Sequence, residues 1–106
     1  MGYQVTITRN GLEEGLIDRD EWLACVAVDP ELELEDEADP FPVVVWKKKA
    51  VSAEFCWDQQ GVWCVSPSDI AILKMLVIAR RLDAKVFGED ETEFVVRDGV
   101  MLRISP

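Results

Sequence analysis

The reactive inventory of the chain is lopsided. Its 106 residues carry 21 Asp and Glu, three Cys and no His. Without an imidazole, Ser-His-Asp and Cys-His nucleophiles are excluded, and so are the usual proton shuttle near neutral pH and the commonest metal ligand. No G-x-x-x-x-G-K-[ST] loop, G-x-G-x-x-G fingerprint or G-x-S-x-G elbow occurs, and the six glycines stand apart and do not cluster to cradle a phosphate. Paired carboxylates remain open as a catalytic device. A carboxylate becomes a useful acid or base only where burial or a charged neighbour moves its pKa, and no spacing singles out such a pair. The expectation is a non-enzyme with no catalytic residue, no metal site and no cofactor.

Cys25, Cys56 and Cys64 are odd in number and lack C-x-x-C spacing. They form neither a complete disulfide framework nor a zinc signature, and three buried, unreacted thiols in a reducing cytoplasm are expected. The amino-terminal residues alternate polar and apolar types with no basic stretch before an apolar run, so no signal peptide is read there. The longest apolar run is far short of the ~20 residues that cross a bilayer, and no membrane partner is expected.

The carboxylates are unevenly placed. Residues 1–42 hold twelve acids against Arg9 and Arg19, a net of −10, whereas residues 43–106 hold nine acids and nine bases. Asp29, Glu31, Glu33, Glu35, Asp36, Glu37 and Asp39 follow one another with no cation between them. Like charges at that density repel, so residues 29–42 are expected to form a solvated acidic loop without internal pairing. Such a loop lacks the glycine and the alternating ligands of a calcium site. An acidic surface repels nucleic acid, and Lys47 to Lys49 is too short a basic run to build a groove. A basic protein is the partner that the charge favours, because exposed acids steer encounter with a positive surface, although a solvated run that only aids solubility has the same composition.

The elements that would position these residues are legible in the spacing. Tyr3, Val5 and Ile7 alternate with polar residues as in a half-buried strand. Asp18 and Glu21 have the form of a capping box, with Ile17 and Trp22 as its hydrophobic staple, opening a helix over about 19–28 that Pro30 ends. Val43 to Trp46 reads as an interior strand closed by Lys47 to Lys49. Phe55 to Trp57 and Val62 to Cys64 read as an antiparallel hairpin, with Gly61 as the left-handed residue of a bulged turn. Ser66-Pro67-Ser68-Asp69 reads as a second capping box, with Pro67 first in a helix reaching about Leu82. On that helix Ile72, Met75, Leu76, Ala79 and Leu82 would face the sheet, with Lys74 and Arg81 opposite. Ile70, Leu73 and Val77 lie beside those cations; cover by the rest of the chain is expected, and a contact face is the alternative. Residues 85–87 and 92–96 read as closing strands, and Asp98-Gly99 marks a turn before a further strand at 100–104.

The whole predicts one domain over residues 1–106. It is an α+β fold of order β-α-β-β-β-α-β-β, with a mainly antiparallel sheet and two helices on one face. Its four tryptophans are expected in the core.

Residues 17–26 followed by Asp29-Pro30-Glu31-Leu32, a Trp-rich hairpin, Pro67 to Leu82 and Ala84 to Glu91 together resemble a set of small acidic bacterial proteins, most without an assigned function. Some of these resemble immunity proteins encoded beside polymorphic or contact-dependent toxins, and the similarity spans roughly residues 3–96. The resemblance implies a non-catalytic inhibitor of a toxin domain. Its motifs are structural and carry no catalytic residue across. The acids from Asp29 to Asp39 would be the leading contact and the Ile70-Leu73-Val77 edge the second. A general interaction or structural module, including a homo-oligomer joined through sheet or helix edges, is the other reading.

Overall fold

A computed structural model describes residues 2–9, 16–36, 42–48 and 51–106. Within them the chain forms an α+β fold of two helices and an eight-stranded antiparallel sheet. The strands are β1 (Gln4–Thr8), β2 (Leu32–Asp36), β3 (Val43–Lys48), β4 (Val51–Asp58), β5 (Gly61–Val65), β6 (Lys85–Gly88), β7 (Glu93–Arg97) and β8 (Val100–Ile104). The helices are α1 (Arg19–Ala27) and α2 (Asp69–Arg81). Across the sheet the order is β2-β3-β4-β5-β1-β6-β7-β8, which makes β2 and β8 the edge strands.

The predicted order is two strands short of the observed one: it omits β8, read at 100–104 but left out of the order, and β2, whose residues it gives to the acidic loop. Leu32 and Leu34 alternate with Glu33 and Glu35, so one face of the segment can be buried while the acids point away. Pairing of Leu32 with Trp46 and Leu34 with Val44 supplies the ladder that outweighs the charge repulsion. The register shifts between Leu34 and Asp36, a bulge that ends regular pairing.

Alternation sorts the side chains of the sheet. Val5 and Ile7 on β1, Phe55 and Trp57 on β4, Val44 and Trp46 on β3, Val86 on β6 and Phe94 on β7 are buried in one core with residues of both helices. Thr6 pairs with Trp63 and with Phe87, and Cys56 pairs with Trp63, so these four fall on the other face. Trp22, Trp46 and Trp57 are therefore core residues, whereas Trp63 is half-buried on the opposite side. Trp46 and Phe55 stack at 6.4 Å between ring centroids. Truncating a buried aromatic of this kind costs about 3–5 kcal/mol through lost burial and the cavity left behind.

The α1 capping box is present as read from the sequence: Asp18 Oδ1 accepts from the Glu21 amide at 2.7 Å and Glu21 Oε1 accepts from the Asp18 amide at 3.3 Å. Ile17 and Trp22 are both fully buried. The start of α2 lies two residues later than expected. Ser68, not Ser66, is the N-cap, its Oγ accepting from the Ala71 amide at 3.2 Å, because Ser68 has the extended backbone a cap needs whereas Ser66 has a φ of 50° and its amide still donates to the Tyr3 carbonyl at 2.7 Å. Gly61 has the expected positive φ, 143°, but pairs in register with Asp58 and not in a bulge.

Arg9, buried at the end of β1, ties three elements together. Its Nε donates to the Leu82 carbonyl at 2.6 Å, and its Nη1 and Nη2 donate to Glu21 Oε1 and Oε2 at 3.0 and 2.7 Å. That bidentate pair holds the Glu21 carboxyl below its ordinary value.

Candidate binding surface

The acidic run divides into a held part and an exposed part. Asp29, just past the end of α1, is only 4 % exposed, and Lys74 on α2 is 8 % exposed. Lys74 Nζ donates to Asp29 Oδ2 at 2.8 Å and to Glu31 Oε1 at 2.9 Å. Arg81 Nη1 donates to the same Asp29 oxygen at 2.5 Å, and Asp29 Oδ1 accepts from the Glu31 amide at 2.9 Å. Trp46 Nε1 completes the network by donating to Glu31 Oε1 at 3.0 Å. Two expectations are corrected here. Asp29 and Glu31 are both internally paired, Asp29 buried and Glu31 still partly exposed, and Lys74 faces inward, not toward solvent. The physical reason is reciprocal: Asp29 can be buried because two cations reach it, and Lys74 because two carboxylates reach it.

Electrostatics follow from that geometry. Burial alone would raise the Asp29 carboxyl, but the hydrogen bonds from Lys74, the Glu31 amide and Arg81 outweigh it and hold the group at about 2 against an ordinary 3.8. The Glu31 carboxyl is lowered chiefly by Lys74, with help from Trp46. Neither carboxylate is poised to exchange a proton near neutral pH.

Beyond this anchor the acids are exposed. Glu33 and Glu35 lie on β2, and no cation among the described residues forms an ion pair with either. Asp36 ends the strand. Glu37 and Asp39 lie outside the described residues. Glu35 also borders a broad open cleft of about 860 Å³, where β4 and β5 part beyond the Cys56–Trp63 pair. Glu54, Cys56, Trp63 and Lys47 line the same cleft. The Cys56 thiol there is pushed up by burial and then by Glu54 and Asp58, which makes it a poor nucleophile.

Ile70, Leu73 and Val77 are all exposed on α2, so the expected cover by the chain itself is not found among the described residues. Arg81 continues that stripe one turn past Val77 and reaches Asp29, two residues before Glu31. The ion-pair network therefore stands between the apolar stripe and the base of the acidic strand. Sequence reading missed Lys74 and Trp46 as residues of this region. The available signal was Lys74 itself, set between Leu73 and Met75 in a helix with few other cations.

All three cysteines are free thiols. Among the described residues no group of three or more His, Cys, Asp or Glu is placed to hold a metal ion, and no helix is long and apolar enough to cross a membrane. None of the family models, curated proteins and solved structures compared with the chain matches it.

Proposed function

We propose that the chain is a non-catalytic binding protein of the immunity or inhibitor kind, which takes a basic protein, such as a toxin domain, on the edge formed by β2. In this reading both helices cover one face of the sheet, and the acidic edge and the Ile70-Leu73-Val77 stripe flank the Asp29 network as one composite surface. The observation that carries it is the contrast along a single run of acids. Asp29 and Glu31 are fixed by Lys74, Arg81 and Trp46, whereas Glu33 and Glu35, a few residues on, are exposed with no cation among the described residues paired to them. A rigid base thus presents uncompensated negative charge, the arrangement that steers a cationic surface and covers its Lys and Arg. The exposed stripe supplies apolar area that charge alone lacks.

The test begins with capture of the partner by pull-down from the native cell, or with co-expression of a neighbouring toxin gene and scoring of survival. Changing Glu33 and Glu35 together to Gln should then weaken binding by about 1–2 kcal/mol, mostly through a slower on-rate, and wild-type binding should weaken as salt rises. The melting temperature should stay within a degree or two, because exposed unpaired charges contribute little to folding. A double variant that binds and protects like wild type at low salt would reduce the acidic edge to a solubilising surface.

A further inference from the structure

The two edges of the sheet are built differently. β2 carries exposed glutamates and a bulge, devices that stop another strand from adding to it. β8 has neither. Its sequence is Val-Met-Leu-Arg-Ile, and Val100, Leu102 and Ile104 are exposed although apolar. Its one charge, Arg103, is already engaged, with Nη2 3.2 Å from Asp69 Oδ1 and the guanidinium 5.7 Å from the centre of the Phe94 ring. Residues 93–104 hold Glu93 and Asp98 against Arg97 and Arg103, a net of zero in a chain of −10. Here, and not at β2, the chain can meet its own copy without like-charge repulsion.

The register sharpens this. Asp98 and Gly99 form a two-residue turn with φ of 53° and 77°, and Arg97 pairs with Val100 across it. In such a hairpin the pair next to the turn exchanges hydrogen bonds, so Val100, Leu102 and Ile104 aim their amides and carbonyls at β7. Met101 and Arg103 aim theirs outward, along the open edge. An antiparallel copy of β8 centred on Leu102 would set Met101 against Arg103 as the hydrogen-bonded pair on both sides of a two-fold axis. Leu102 would meet Leu102, and Val100 would meet Ile104, an apolar row that matches itself.

We propose that two copies of this chain pair antiparallel through β8, with the two-fold axis at Leu102, joining their sheets edge to edge. This goes beyond the toxin-inhibitor reading and uses the opposite edge of the molecule. In light scattering after gel filtration, the full chain should run at twice the 12.0 kDa of one copy. Leu102→Lys, which places two cations on the axis, should halve that mass while the circular dichroism melt is retained. Should that variant unfold, a cysteine pair decides: Leu102→Cys should form an intermolecular disulfide under air oxidation, because opposed residues without mutual hydrogen bonds bring their side chains closest. Met101→Cys, which faces Arg103 of the other copy, should not. A wild-type mass of one chain at every concentration, a Leu102→Lys dimer, or equal cross-linking at positions 101 and 102 would overturn the proposal.

Discussion

Replacing Asp29 with Asn keeps the shape of the side chain and removes its charge from between Lys74 and Arg81. The carboxyl is held at about 2 in the fold against 3.8 for the ordinary group. That gap of nearly two pH units corresponds to about 2 kcal/mol of stability carried by the ionised form at neutral pH. Loss of one partner from a buried pair costs about 3–5 kcal/mol when the other charge is stranded. Lys74 keeps Glu31 and Arg81 is about half exposed, so about 2–3 kcal/mol is expected at pH 7. Because the folded value lies below the unfolded one, the contribution is complete above about pH 4 and is lost as pH falls through about 2. Urea unfolding followed by tryptophan fluorescence, at steps from neutral pH downward, reads this directly. The wild type should be more stable than Asp29→Asn at neutral pH, and the two curves should converge in acid. Glu21 is unchanged in both proteins, so its acid-range contribution cancels in the difference. A variant within about 0.5 kcal/mol of wild type at neutral pH, or a gap that stays constant into acid, would refute the assignment of Asp29 as the anchoring charge.

Other substitutions test the scaffold. Asp18→Ala removes the capping acceptor of the Glu21 amide and should lower stability by about 1 kcal/mol in the same urea assay. Gly61→Ala should cost at least about 2 kcal/mol, since φ is 143° and a Cβ there would stand 2.0 Å from the Ile7 carbonyl oxygen; a neutral result would contradict that close approach. Cys25 and Cys64 should resist a disulfide-exchange reagent until the protein unfolds, because both are buried and burial raises the Cys25 thiol and pushes Cys64 up to about 11. A Cys56–Cys64 disulfide in non-reducing mass spectrometry of the native protein would contradict that expectation.

What the sequence disclosed was mainly local. The Asp18 box, the alternation of β1, the Phe55–Cys64 hairpin and the Asp98-Gly99 turn are each written within a few residues, and each is found. β2 was hidden because the charge density of its glutamates masked the period-two leucines between them. Lys74 was misplaced for a related reason. A cation amid apolar residues on a helix ordinarily marks the solvent side, and the carboxylate that brings it inward stands 45 residues earlier in the chain. Tertiary pairing of this kind overrides local pattern, and the division of the acids into held and exposed groups could not be read without it. The Ile70-Leu73-Val77 edge shows the reverse: its apolar character was plain, but only the packed structure could say that nothing described lies over it.

The position of β1 carries a consequence for how the molecule comes together. Every other neighbouring pair in the sheet is consecutive in sequence, so β2 to β5 can form as one meander and β6 to β8 as another. β1 alone touches both, through β5 on one side and β6 on the other. Although β1 precedes the other seven strands in the chain, its second edge is satisfied only once residues near Gly88 have been made. Until then Val5 and Ile7 have no complete core to enter. Its two pairings are among the longest-range in the fold, and closing them should set the rate of folding. Removing β1 would thus divide the sheet into four strands and three, not merely trim it.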